Sequence, residues 1–179
     1  MGETEMRALS PVLSVITAAT LMLPTTGAHA GTILKVGGTL SRANEVPPTA
    51  SSGDDLVLVV LNRTTQTIEI RGSFSNLTTI ATAAHIHCCA PLGKNVGVAT
   101  TTPAFAGFPL GATSGSFDLT FSLRNPSFYN PAFVVAIDGT IEGAEKALEA
   151  GIEAGLSYFD IHTTKFPGGE IRSQLLAVP

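Results

Sequence analysis

Three histidines carry most of the chemistry open to this sequence. His85 and His87 stand in the run ATAAHIHCCAPLG at 81–93, with Cys88 and Cys89 directly behind them, and His162 stands in YFDIHT at 158–163. Neutral imidazoles are ligands for copper and zinc. In a strand, successive side chains point to opposite faces, so His85 and His87 share one face around Ile86. By the same rule Tyr158, Asp160 and His162 share a face, and Phe159 and Ile161 take the other. If Ile86, Phe159 and Ile161 enter the core, all three histidines point away from it, and they converge if the two strands are neighbours. Such a set suits copper first and zinc second. His-x-His also occurs on strand faces that hold no metal, so the pattern by itself leaves an ordinary surface cluster open. The only other histidine, His29, falls in a segment expected to be removed.

The adjacent cysteines are a separate question. Across a trans peptide their Cα atoms lie about 3.8 Å apart, below the usual disulfide range of roughly 4.4–6.8 Å. That leaves a strained vicinal disulfide, free thiols, or Cys88 and Cys89 as thiolate ligands beside the histidines. In an exported chain the vicinal disulfide is preferred, either as a stiff corner or as a redox switch. Asp160 and Glu170 are candidates to orient a histidine from behind; ion pairing among Asp160, Glu170 and Arg172 is the structural alternative. Gly168 and Gly169, after Pro167, are expected to form a tight turn with positive φ. Glu45 reads as a loop anchor before Pro47 and Pro48, and its direction is open.

The elements that must position these residues are mostly strands. Of 179 residues 44% are hydrophobic and 13% charged, as suits one globular domain, and 18 Gly and 11 Pro punctuate short apolar runs. Strands are expected at 32–40, 55–62, 67–74, 79–87 and 115–123, with a loop containing short strand pieces at 90–115. The spacing of Ile141, Ala144, Leu148, Ile152 and Leu156 predicts an amphipathic helix over 140–155 capped by Thr140. A further strand follows at 156–163, and 166–176 is a tight turn feeding a last strand. The fold class is all-β: an antiparallel sandwich or barrel, with one helix inserted before the penultimate strand.

The first 30 residues read as a secretory signal, with an apolar run at 12–23 followed by Ala28-His29-Ala30. Cleavage after Ala30 would leave a domain of 31–179, exported to a periplasm or the extracellular space. Glu3 and Glu5 outnumber Arg7 where a positive start is expected, and translation from Met6 would restore the pattern. No other stretch is long enough to span a bilayer as a helix. A net charge of −4 offers no footprint for nucleic acid. No G-x-S-x-G elbow, P-loop or pair of glycosidase carboxylates appears.

Three segments, GGTLSRANEVPPTASSG, ATAAHIH and FDIHTTKFPGGEIRSQL, resemble in order the signature segments of the chordin-type (CHRD) domain. The resemblance covers about 37–176 and implies an antiparallel β-sandwich or barrel in an exported protein of the bacterial single-domain kind. Members commonly continue His-Ile-His with Gly-Pro, where this chain has Cys-Cys-Ala-Pro. A more distant similarity is to copper/zinc superoxide dismutases, also Greek-key β proteins, in the order of His85, His87, His162 and Arg172. It would make the histidines copper ligands and Arg172 an anion-steering group, in a copper-only variant because no fourth histidine is present. Three functions follow. The first is a binding module for a protein or an envelope or matrix component, with a His-based transition-metal site. The second is a copper-dependent redox enzyme, and the third a purely structural β domain.

Overall fold

The computed structural model describes residues 32–178; the expected leader and its cleavage point lie outside them. Strands β1 (Ile33–Ser41), β2 (Asp54–Asn62), β3 (Thr67–Phe74), β4 (Ala81–Cys88), β5 (Gly115–Ser122), β6 (Ser157–Thr163), β7 (Ile171–Gln174) and β8 (Leu176–Ala177) form one curled sheet. Its order is β4-β6-β7-β1-β2-β3-β5, with β8 added to β1, and every pair is antiparallel. Alternation sets its inner face. Val57, Val59 and Leu61 of β2 are buried, as are Ile68 and Ile70 of β3, and the register sets Leu61 opposite Ile68 and Val59 opposite Ile70. Phe117 of β5 continues this core, stacking on Phe159 from the far side of the sheet's curl.

Two α-helices are present among the described residues, where one was expected. Helix α2 (Ile141–Glu153) is capped by Thr140, whose hydroxyl accepts from the Gly143 amide at 2.9 Å, and it buries Ala144, Leu148 and Ile152. Helix α1 (Pro131–Ile137) is the addition. Its seven residues are too few to show a helical period, although Asn130 as cap and Pro131 at the first position are a recognisable start. One further difference lies at the C-terminus: the turn within 166–176 feeds two strands, β7 and β8, rather than one, so α2 precedes the third strand from the end.

Burial does not alternate along the strands beside the histidines. A strand with one wet face should alternate in burial, yet every residue of β6 and β7 is buried. The core face holds Phe159 and Ile161. The other face is covered by three loops. Asn44 accepts from Arg172 Nε, Asn95 accepts from Arg172 Nη1 at 2.8 Å and donates to the Val46 carbonyl at 2.7 Å, and the Pro167 carbonyl accepts from His162. The histidines point away from the apolar core into a second interior, a polar one.

Candidate metal centre

Pairing of β4 with β6 and of β6 with β7 builds the site in two rows. His85, Asp160 and Arg172 stand opposite one another across the three strands, and His87, Tyr158 and Gln174 form the next row. His162 is opposite Ala83, whose small side chain leaves its ring beside that of His85, with centroids 4.8 Å apart. His85, His87 and His162 each keep under a tenth of their surface exposed, and one ring nitrogen from each lies within 4.8 Å of the others.

Backbone carbonyls fix two of the three rings. His87 Nδ1 donates to the Val96 carbonyl at 2.8 Å, and His162 Nδ1 donates to the Pro167 carbonyl at 3.0 Å. Each therefore presents the Nε2 lone pair inward, the tautomer a metal ligand needs. His162 Nε2 lies 3.1 Å from His85 Nδ1, so in the metal-free protein the His85 Nδ1 proton bridges the two. His85 Nε2 and His87 Nε2 are buried with no hydrogen-bond partner. A tetrahedral ion with bonds of about 2.0–2.1 Å holds its ligands about 3.3 Å apart, so small ring movements complete such a set.

Electrostatics keep the rings neutral. Burial, helped by the neighbouring His162 and His87, takes His85 down to about 4. Burial likewise takes His87 down to about 4 against the hydrogen bond to Val96, and lowers His162. These are unprotonated imidazoles at neutral pH, ready to bind a cation without first losing a proton to solvent.

Beside the ring nitrogens lies a carboxyl pair. Asp160 Oδ2 is 3.8 Å from His87 Nε2 and 3.7 Å from His162 Nε2. The Glu45 and Asp160 carboxyls face each other, and Glu45 Oε1 and Asp160 Oδ1 are buried with no donor group to satisfy them. Burial pushes Glu45 up to about 7, against the pull of the Asp160 contact and of Arg172. Burial and the Glu45 charge push Asp160 well above the carboxylate range. Arg172 is 1% exposed and lies 4.4 Å over the Tyr158 ring. The turn after Pro167 closes over the pair. Gly169 has φ 123°, and a Cβ there would sit 2.7–2.8 Å from Asp160 and Glu45 oxygens. Gly168 is not in the positive-φ region, so only one of the two turn glycines meets that expectation.

The other candidates lie apart from the histidines. Glu170 is fully buried, with Oε1 accepting from Ser51 Oγ at 2.5 Å and the Thr78 amide at 2.6 Å, and Oε2 from Thr163 Oγ1 at 2.6 Å. Burial works to raise its pKa, but those bonds outweigh it and hold the group below the usual range. Cys88 and Cys89 are joined to each other; the peptide between them is cis rather than trans, with Cα atoms 3.0 Å apart. Their sulfurs lie against α2, 4.0 and 3.7 Å from the Ala147 carbonyl oxygen, on the side of β4 away from the rings. Sequence reasoning left Glu45 undirected and did not single out Asn44, Asn95, Val96 or the Pro167 carbonyl. Backbone acceptors carry no residue-type signal, so only the register could reveal the last two.

Fold and site together define a curled antiparallel β protein with a buried, neutral three-histidine cluster on its polar side. Residues 36–175 match the CHRD domain family model, and the chain belongs to the CHRD domain family. No curated protein and no solved structure was found to match it. No helix among the described residues is long and apolar enough to cross a membrane.

Proposed function

We propose that this CHRD domain is an exported binding module whose His85, His87 and His162 hold one transition-metal ion, copper in the first instance and zinc in the second. The observation that carries the reading is the convergence of three neutral ring nitrogens, two of them aimed inward by carbonyls on their far sides. Ordinary surface histidines have no need of burial, a fixed tautomer or a shared focus. Export follows from the leader-like first 30 residues and from the disulfide, which persists in an oxidising compartment. The partner of such a module is a protein or an envelope or matrix component.

The copper-redox alternative has less support. Anion steering requires a cation near the mouth of an open site, whereas Arg172 is interior and tied to Asn44 and Asn95. Elemental analysis of the mature protein, purified without a histidine tag and offered copper and zinc in turn, tests the proposal beside a His85→Ala/His87→Ala/His162→Ala variant. About one equivalent of metal in the parent and none in the variant is expected; equal, substoichiometric metal in both would remove the reading.

A further inference from the structure

Resting on that metal reading, we infer that Asp160 is the fourth ligand, and that its Oδ2 closes the coordination around a divalent ion. Three observations lead there. Asp160 stands directly opposite His85 in the strand register, and its Oδ2 is within 3.8 Å of both His87 Nε2 and His162 Nε2. Those two nitrogens present lone pairs, because their Nδ1 protons are committed to carbonyls. A cation placed among them would take these two lone pairs and Oδ2 into one coordination shell. Next, Oδ2 is the Asp160 oxygen that stands against the ring nitrogens, while Oδ1 is buried without a hydrogen-bond partner. Finally, Gly169 packs so closely that a single added carbon would lie 2.7 Å from Oδ2, so the covering turn occupies the space a solvent ligand would need on that side.

The chemistry of the ion follows from the donor set. Three imidazoles and a carboxylate suit Zn²⁺ or Cu²⁺, and a carboxylate adds little for the softer Cu⁺. A set of four protein ligands is closed, as in sites that hold an ion rather than turn over a substrate on it. The inferred site therefore stores or senses a divalent ion, and it stabilises copper in the oxidised state.

The test uses the mature protein stripped of metal, alongside Asp160→Asn. Co²⁺ is titrated into each and its visible absorption recorded. Zn²⁺ and Cu⁺ affinities are measured by chelator competition, and X-ray absorption on the Zn²⁺ form counts nitrogen and oxygen neighbours. Expected for the parent are the intense bands of four-coordinate Co²⁺ and a shell of three nitrogens and one oxygen. Expected for Asp160→Asn are a changed band pattern, at least tenfold weaker Zn²⁺ binding, and Cu⁺ binding within about twofold of the parent. A group acting from behind the ligands would weaken affinity but leave the cobalt spectrum unmoved, and an unmoved spectrum overturns the inference. Solvent relaxation on the Cu²⁺-loaded parent supplies a reading that needs no variant. Fast-exchanging water on the ion would overturn the closed site, and its absence supports it. Failure of the parent to bind any metal would instead remove the metal reading itself, a result distinct from binding through three histidines alone.

Discussion

Tyr158 lies flat against His87, with ring centroids 4.5 Å apart and planes 8° from parallel, as direct cross-strand partners of β4 and β6. The Arg172 guanidinium stands 4.4 Å over the same tyrosine. His87 is thus held flat by a stacked ring and in rotation by the Val96 carbonyl, so its Nε2 direction is set before any ion arrives. Preorganisation of this kind contributes to affinity without touching the metal. Tyr158→Leu should keep all three histidines and weaken metal binding about tenfold, while Tyr158→Phe, which keeps the stack and loses only 3.3 Å contacts to Val96, should change it little. Chelator competition on the two variants checks this, and equal losses would show that the hydroxyl rather than the stack positions the ring.

Gly169 is the narrowest point of the cover. Its φ of 123° disfavours any side chain, and an added Cβ would press on both carboxyl groups at 2.7–2.8 Å. Gly169→Ala should cost about 2–4 kcal/mol of stability, combining backbone strain with overpacking. Urea unfolding of the metal-free proteins measures it. Gly168→Ala is the control, since nothing lies within 4 Å of a Cβ there and its φ is ordinary; its midpoint should stay close to that of the parent.

Period-two patterning located the strands because β2, β3 and β5 each have one apolar side, and the same rule put His85 with His87 and Asp160 with His162. The rule could not foresee that the polar side would be roofed. The 42–53, 90–98 and 166–169 segments have loop composition, and what they cover depends on contacts such as Asn95 to Arg172 across 77 residues. Glu170 illustrates the same limit. Its position two residues before Arg172 suggested an ion pair, but its burial is satisfied by Ser51, Thr78 and Thr163, none of them charged.

The disulfide has a partner that the sequence did not advertise. Gly151, inside α2, is the point where the helix meets Cys88 and Cys89, and a methyl there would overlap both sulfurs. Helix propensity alone favours alanine over glycine by about 1 kcal/mol. Gly151→Ala should nevertheless destabilise the oxidised protein by about 1–3 kcal/mol. In a Cys88→Ser/Cys89→Ser background, free of the bridge, the penalty should shrink or reverse toward the propensity gain. A double-mutant cycle by urea unfolding separates the two terms, and additive effects would show that the sulfurs do not set the need for glycine.

Glu45 gives the site a pH dependence with a definite sign. Its pKa in the folded protein is about 7, raised by burial from an ordinary 4.5. A raised carboxyl favours folding while it is protonated in the native state, so its contribution is fully present below pH 4.5 and is lost as pH rises through 7. The depressed histidines act in the opposite sense, since their contribution is present above 6.5 and falls as pH drops toward about 4. Comparing the metal-free parent with Glu45→Gln cancels the histidine contribution, which both proteins share. Between pH 5 and pH 8 the parent should lose about 2 kcal/mol relative to Glu45→Gln, with the loss spread between the unfolded and folded pKa values and levelling off above pH 7. Urea midpoints at half-unit pH intervals measure the difference. A difference that stayed flat across that range would mean that Glu45 titrates as a solvated carboxylate and that the Glu45–Asp160 pair does not hold its proton into the neutral range.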